Sequence, residues 1–292
     1  MYQTLPPEEW EIVLVDDIST EDLSQAYQDL IGRINLRHVQ YDHRLHPIFQ
    51  EMNPDWKSGM KENWYHTPAV SLNIGAHLSR SPNLVLCHPE ILHGPRNFEL
   101  ALVMLDQDPN QFIFGRTYLG NERTNLWLDI HPDWWTIEWS QFLHSINRPY
   151  PLTFFGQGEL YWYTSFIPKK AFQVTGGVDF AYQRGSCGED DDFRERMKLA
   201  GYRPVHDPAI EGVHQDHSTE GEAHRNRTSD AWYAGQARNR AIYYARRDGV
   251  VPFPEVVNTE YDWTGMECVT RIVDWTVGSK EPKISNLRKG RE

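Results

Sequence analysis

The residues of this chain best suited to chemistry are the carboxylates of Gly188-Glu189-Asp190-Asp191-Asp192, at the start of a segment with helical pattern. The unsatisfied N–H groups and positive end of a helix favour an ionised acid, and an ionised acid can act as a base. Successive helical residues turn by about 100°, so these acids cannot all face one cleft, and at least two must cap, pack or meet solvent. Taken alone, the segment is equally well explained as an acidic helix cap without chemistry. Other polar residues collect where apolar runs end: Asp16 and Asp17 follow Glu11-Ile12-Val13-Leu14-Val15, and His88-Pro89-Glu90 follows Leu84-Val85-Leu86-Cys87. Thr175-Gly176-Gly177 permits a tight turn or the close approach of a ligand. Trp162, Tyr163 and Tyr182 could stack on a sugar, or simply pack a core, and Trp134 and Trp135 share that ambiguity.

The elements that must position these groups alternate between helix and strand. After the strand at 11–15, Ser19 or Thr20 caps a predicted helix over 21–31, and a strand follows at 36–39. Residues 42–66 are polar and Pro-broken and read mostly as loop. Periodicity then gives a helix at 69–78, a strand at 84–87, a helix at 96–105 and a strand at 111–118. Phe193, Met197 and Ala200 mark one face of a helix from about Glu189 to Gly201, after which Arg203-Pro204-Val205 is extended. A further helix is predicted over 229–247, and the tail from Lys280 reads as weakly ordered. This alternation makes the fold class α/β.

At 292 residues with 39% hydrophobic content the chain can fill a substantial core. A formal charge of −12 disfavours a nonspecific nucleic-acid surface, although Arg225, Arg227, Arg238, Arg240, Arg246 and Arg247 could form a local basic face. The sequence lacks a transmembrane run and the order of a signal peptide, which predicts a cytoplasmic protein, membrane-associated at most through a partner. Cys87, Cys187 and Cys268 are read as reduced thiols.

The motifs also agree in order and spacing with a known class. The Glu11 to Thr20 segment resembles the "IVVDDGST" strand end of family 2 glycosyltransferases, and Asn73-Ile74-Gly75-Ala76 resembles their "RNxGxxxA" helix. Phe172 through Phe193 resembles the "GG…WGGEDDDF" region of β-1,4-galactosyltransferases. The resemblance covers roughly residues 8–220. It implies a GT-A fold, a Rossmann-like mixed sheet flanked by helices, that binds a nucleoside diphosphate sugar. On this reading residues 1–228 form the glycosyltransferase domain, with a donor half at about 1–118 and an acceptor half at about 119–228, and 229–292 form a helical appendage and tail. The usual first strand and helix are missing before the Ile12 to Val15 strand. An upstream extension, a partner chain or a homo-oligomer contact is therefore expected along that sheet edge.

Carried across by residue, Asp17, with Asp16 and Asn73, resembles the nucleotide-binding set. Gly176 and Gly177 resemble the turn beneath the donor and acceptor sugars, Glu189 the acceptor-binding acid and Asp190 the base. The family's Asp-x-Asp metal motif is replaced by His88-Pro89-Glu90, which resembles the "NPE" of some relatives. Glu90 can ligate Mn²⁺ or Mg²⁺ through oxygen, and His88 suits Mn²⁺ better. His214, or else His217, falls where the family supplies a histidine ligand. Asp106-Gln107-Asp108 follows a predicted helix and reads as loop capping. A zinc site from His206, His214, His217 or His224 with Cys187 has poor spacing.

The expected activity is inverting transfer of a sugar from a uridine diphosphate (UDP) sugar to a carbohydrate hydroxyl, with Asp190 as base and a divalent cation assisting departure of the diphosphate. The chief alternative is a noncatalytic saccharide-binding or assembly subunit, and a nucleic-acid glucosylating enzyme is a third reading.

Overall fold

The computed structural model describes residues 3–19, 23–52, 68–146, 153–155, 164–185, 187–216, 230–260 and 262–287. In chain order the elements are β1 (Glu11–Asp17), α1 (Leu23–Ala26), β2 (Asn35–Tyr41), α2 (Pro47–Met52), α3 (Ala69–Leu78), β3 (Asn83–Leu86), β4 (Ile91–His93), α4 (Asn97–Gln107) and β5 (Gln111–Leu119). They continue with α5 (Glu122–Ile130), α6 (Trp139–Ile146), β6 (Thr153–Phe155), β7 (Ser165–Pro168), α7 (Lys169–Val174), α8 (Glu189–Leu199), β8 (Arg203–His214), α9 (Asp230–Arg247), β9 (Val269–Trp275) and β10 (Lys283–Asn286).

Internal contacts divide the chain into two interleaved units, one of residues 1–5, 83–171 and 197–229, the other of 6–82, 172–196 and 230–292. The second unit is built on a four-stranded sheet of order β1-β2-β9-β10. β1 and β2 are parallel, while β9 runs antiparallel to both β2 and β10. Tyr27, Ile34, Leu36, Val273 and Trp275 form its core, with Ile12 and Leu14 packed against them. α3 packs on β1, where a Cβ added at Gly75 would meet the Val15 side chain at 3.4 Å. β1 lies at the sheet margin, and among the described residues no strand pairs with its outer edge.

The first unit holds a six-stranded sheet of order β3-β7-β5-β8-β4, with β6 paired to β5. Only β5 and β8 pair in parallel; the other ladders are antiparallel. α4 packs on β5 and β8 through Ala101 and Leu105, against Ile113, Phe166 and Ile210. A second cluster centres on Phe142, Ile146 and Val213, with Trp127, Trp134 and Trp139 packed around it. This is the mixed sheet flanked by helices that the sequence predicts, without a strand preceding β1 among the described residues.

Three local expectations are corrected. The tail from Lys280, read as weakly ordered, contributes β10, which pairs with β9. The helix over 21–31 is only α1 followed by a 3-10 turn at Gln28–Leu30. Tyr27 leaves helical geometry, with φ −115°, and its ring is buried against Trp275 and His38. Tertiary packing thus overrides helix propensity. The supposed loop from 42 contains a 3-10 turn at His43–Leu45, capped by Asp42, and then α2 with Pro47 at its first position. Among the described residues no helix is long and apolar enough to cross a membrane.

Candidate functional site

Gly176 and Gly177 both adopt left-handed backbone, with φ +75° and +74°. A Cβ at Gly177 would overlap the Asn73 side-chain oxygen, and one at Gly176 would overlap the Val257 carbonyl. Two such residues in succession need outside support, and three side chains provide it. Asn73 of α3 accepts from the Val178 N–H at 2.8 Å and donates to its carbonyl at 3.0 Å. Asn258 donates to the Gly176 and Val178 carbonyls at 2.9 and 2.8 Å and accepts from the Phe180 N–H at 2.9 Å. Arg196 of α8, fully buried, donates to the Thr175 and Gly177 carbonyls, each at 2.9 Å.

The same arginine ties the turn to the acidic segment. Its Nε donates to Asp192 Oδ2 at 2.7 Å, an i, i+4 pair with neither side chain exposed. Asp192 Oδ1 also accepts from the Tyr182 hydroxyl at 3.1 Å and from Arg246 of α9 at 2.6 Å, while Arg246 reaches Asp179 at 2.8 Å. Asp192 is therefore an internal anchor. Tyr182 is fully buried, its ring beside the Arg246 guanidinium, so in this arrangement it offers no stacking face to a sugar.

Three and two residues ahead of that anchor, Glu189 and Asp190 open α8 after the left-handed Cys187 and Gly188. The turn of about 100° per residue that sends Asp192 into the core sends Asp190 elsewhere. Asp190 is 8% exposed, and its Oδ1 accepts from the Asp191 N–H at 2.9 Å. Burial, then the charges of Glu189 and Asp191, push its carboxyl well above the ordinary carboxylate value. Asp191 pairs with Arg194 at 2.9 Å.

At the C-terminal end of β1, Asp16 accepts from the Ser19 N–H at 3.0 Å and meets His38 Nε2 at 3.1 Å. His38 Nδ1 is 2.7 Å from the Tyr27 hydroxyl, and all three side chains are buried. Burial opposes ionisation of Asp16, but its bonds from Ser19 and His38 outweigh that and hold its carboxyl below the usual range. Asp17 accepts from the backbone N–H and the ring of His43, at 3.1 and 2.8 Å.

In the first unit, β4 pairs with the end of β8, Ile91 opposite His214. This brings three residues expected as metal ligands together: Glu90 Oε1 lies 3.3 Å from His88 Nδ1 and 3.4 Å from His214 Nε2. Burial raises the Glu90 carboxyl, but the two histidines and a backbone N–H outweigh it and hold it far below the ordinary value. The donor types suit Mn²⁺, yet the three are arranged as hydrogen-bond partners. Among the described residues no group of three or more His, Cys, Asp or Glu is disposed to hold a metal ion. His217 and Trp162 lie outside the described residues. Asp108, by contrast, accepts from the Asn110 N–H at 2.9 Å and from Arg203 at 3.0 Å, the contacts of a capped turn.

Arg196, Asn258 and Asp179 were not singled out by sequence reasoning, and Arg246 was named only as part of a possible basic face. The Asp192 to Arg196 spacing was a usable signal for the first of these; the others are joined to the site only by long-range contacts.

No family model matches the sequence, and no curated protein matches it. Among solved structures the chain is similar to a crystal structure of S. aureus TarS 1-349 in complex with UDP, with 15% identity and a TM-score of 0.47. The match covers 85% of this chain and 65% of that one, so the chain spans under two thirds of the TarS fragment. At that identity and score the likeness assigns no residue a role.

Proposed function

We propose that the chain is a GT-A-type glycosyltransferase that moves a sugar from a UDP-sugar to a carbohydrate hydroxyl with inversion, Asp190 acting as general base. The observation that carries this reading is the bolting of the Gly176-Gly177 turn to the first turn of α8, where Asp190 stands buried with a raised carboxyl. A carboxylate whose proton affinity is raised above the ordinary carboxylate value is better matched to taking a proton from a hydroxyl. In the proposed step Asp190 takes the acceptor proton as the acceptor oxygen bonds to the anomeric carbon. The bond from that carbon to the diphosphate oxygen breaks on the opposite face, and its electron pair leaves with UDP. Glu189 would hold an acceptor hydroxyl, and Asp16, Asp17 and the Asn73-supported backbone would frame the nucleotide. Glu90, His88 and His214, with His217 as a further candidate, would hold a divalent cation once diphosphate oxygens complete its shell; when bound, the ion would neutralise charge on the leaving diphosphate.

The test is UDP release from UDP-glucose, UDP-galactose and UDP-N-acetylglucosamine with mixed oligosaccharide acceptors, comparing wild type with Asp190→Asn. Acceptor-dependent release by the wild type that falls at least a hundredfold in the variant supports the assignment. Equal release by both removes Asp190 from the chemistry. A noncatalytic saccharide-binding or assembly subunit is the second reading. It is favoured by the hydrogen-bonded rather than metal-ready arrangement at Glu90. Saccharide binding without UDP release would establish it.

A further inference from the structure

The buried ionic chain at the base of α8 has two ends. At one, Arg196 holds Asp192 and the Thr175 and Gly177 carbonyls. At the other, Arg246 spans Asp192 and Asp179, the residue that caps the 3-10 turn at Phe180–Arg184 through the Ala181 N–H. Asp192 therefore receives Arg196, Tyr182 and Arg246 on its two oxygens while showing no surface to solvent. Its orientation fixes the rotation of the first turn of α8 about the helix axis, and with it the direction of Asp190 two residues earlier. α9 is docked at a second point seven residues away, where Asn239 donates to the Tyr182 carbonyl at 2.8 Å. Residues seven apart share a helix face, so Asn239 and Arg246 form one seam.

We propose that Arg246 is a positioning residue for Asp190: through Asp192 it sets the angle at which α8 presents the base relative to the Gly176-Gly177 turn. The proposal rests on the reading of Asp190 as the base, and it assigns α9 a part in the reaction. Arg246 itself touches no reacting atom. The arrangement explains why the carboxylate at position 192 is fully buried between two arginines when a helix cap needs no such investment. It also gives the last acid of the run a part of its own: Asp192 anchors the turn, while Asp190, two residues earlier, is free of that network.

The experiment is a double-mutant cycle on the full chain with Arg246→Lys and Asp190→Asn, following UDP release from the same UDP-sugars. Arg246 reaches both carboxylates through one nitrogen, Nη1, and Arg246→Lys keeps the charge but puts a shorter, non-planar ammonium in its place, so the two bonds cannot both be kept at their present lengths. It should lower kcat roughly tenfold or more with little change in KM, as expected for a misaligned base. The loss should vanish when Asp190 is already Asn, and Arg246→Met should be worse than the lysine variant. A loss of the same factor in both backgrounds would reduce Arg246 to a stabilising residue, and a rise in KM at constant kcat would move it to substrate binding. A wild type that turns over none of these sugars, or an Asp190→Asn enzyme as fast as wild type, would sink the functional reading instead. Carboxyl carbon NMR separates the two failures. With Asp190 assigned from the Asn variant, Arg246→Lys should move the Asp190 titration midpoint, and an unmoved midpoint overturns the positioning role whatever the substrate. If Arg246→Met does not fold, Asp179→Asn, which removes the other carboxylate held by Arg246, takes its place in the cycle.

Discussion

Asn73→Leu separates scaffold from ligand contact at a residue expected from the sequence to meet the nucleotide. Both arms of the amide are spent on Val178, whose side chain and backbone are buried. Leucine keeps the branching and heavy-atom count, but its methyl groups are larger than the amide's oxygen and nitrogen, so overpacking at this buried position costs about 1–3 kcal/mol. The Val178 N–H loses its acceptor, and an orphaned buried donor costs about 1–3 kcal/mol. The Val178 carbonyl fares better because Asn258 still donates to it at 2.8 Å, so its loss is about 0.5–1 kcal/mol. Together these predict a destabilisation of about 3–7 kcal/mol, measured by urea denaturation as a shift in midpoint at constant slope. Asn73→Asp sharpens the test. One carboxylate oxygen keeps the Val178 N–H, but the other faces the Val178 carbonyl, so the folded-state pKa is raised above the unfolded value. The penalty is then absent at low pH and grows as pH rises through the folded pKa. Stability of this variant should recover on acidification, as the protonated acid donates to the carbonyl. Calorimetric affinity for UDP should stay within about twofold in the leucine variant, well under the 1.4 kcal/mol of a tenfold change. A leucine variant as stable as wild type that loses UDP affinity tenfold would refute the scaffold argument.

Asp190→Asn should slow transfer by roughly 10² to 10⁴, and the acid limb of the wild-type rate profile should lie above the ordinary carboxylate range because the base must ionise. The raised carboxyl of Asp190 makes its contribution to stability complete below its unfolded pKa and lost as pH rises through the folded one. Asp190→Asn should therefore gain on wild type in urea denaturation at pH 8, and an equal or lower stability there would contradict the burial argument. His46 runs the opposite way. It is fully buried, and burial lowers its pKa to about 4 despite the nearby Asp262, so its contribution is present above about 6.5 and lost as pH falls toward 4. The pH dependence should weaken in His46→Gln by about 3 kcal/mol between pH 7 and 4, and an unchanged acid transition would count against it. For the cation, Mn²⁺ should tighten UDP binding and Glu90→Gln should weaken that linkage; calorimetry showing UDP affinity indifferent to Mn²⁺ and to chelator would remove the metal from the mechanism.

What the sequence made legible was local. The apolar run at β1, the Gly176-Gly177 pair and the acidic start of α8 are contiguous patterns whose physics acts within a few residues, and each is found as an element or turn at its predicted place. The convergence of His88 and Glu90 with His214 was anticipated only through a resemblance in chain order. Sequence spacing alone could not show that β4 pairs with the end of β8. β9 was missed because Val269-Thr270-Arg271-Ile272-Val273-Asp274-Trp275 lies beyond a predicted helix. Its partner β2 stands more than two hundred residues earlier, with Arg37 paired to Asp274 at 2.7 Å. Tyr182 was left open for a related reason. An aromatic beside a candidate site has the same one-dimensional signature whether it faces a ligand or, as here, carries a hydroxyl to a buried carboxylate.

The side chains that hold the glycine turn come from three places far apart in the chain: Asn73 is 105 residues before Val178, Arg196 is 19 after Gly177, and Asn258 is 82 after Gly176. Each supplies donors or acceptors to backbone that cannot use a regular ladder because both glycines are left-handed. A turn of that kind is disfavoured unless its surroundings over-determine it, and three independent anchors do so. Because one anchor, Arg196, also holds Asp192, distortion of the turn and rotation of α8 are mechanically linked. Substitutions at the two ends should therefore be non-additive. Asn258→Ala and Asp192→Asn share a network, so their combined stability loss should differ from the sum of the single losses by about 0.5–3 kcal/mol. Strict additivity in denaturation would mean that the turn and the helix are held independently, and the geometry by which Asp190 is positioned would then have to be sought in α8 alone.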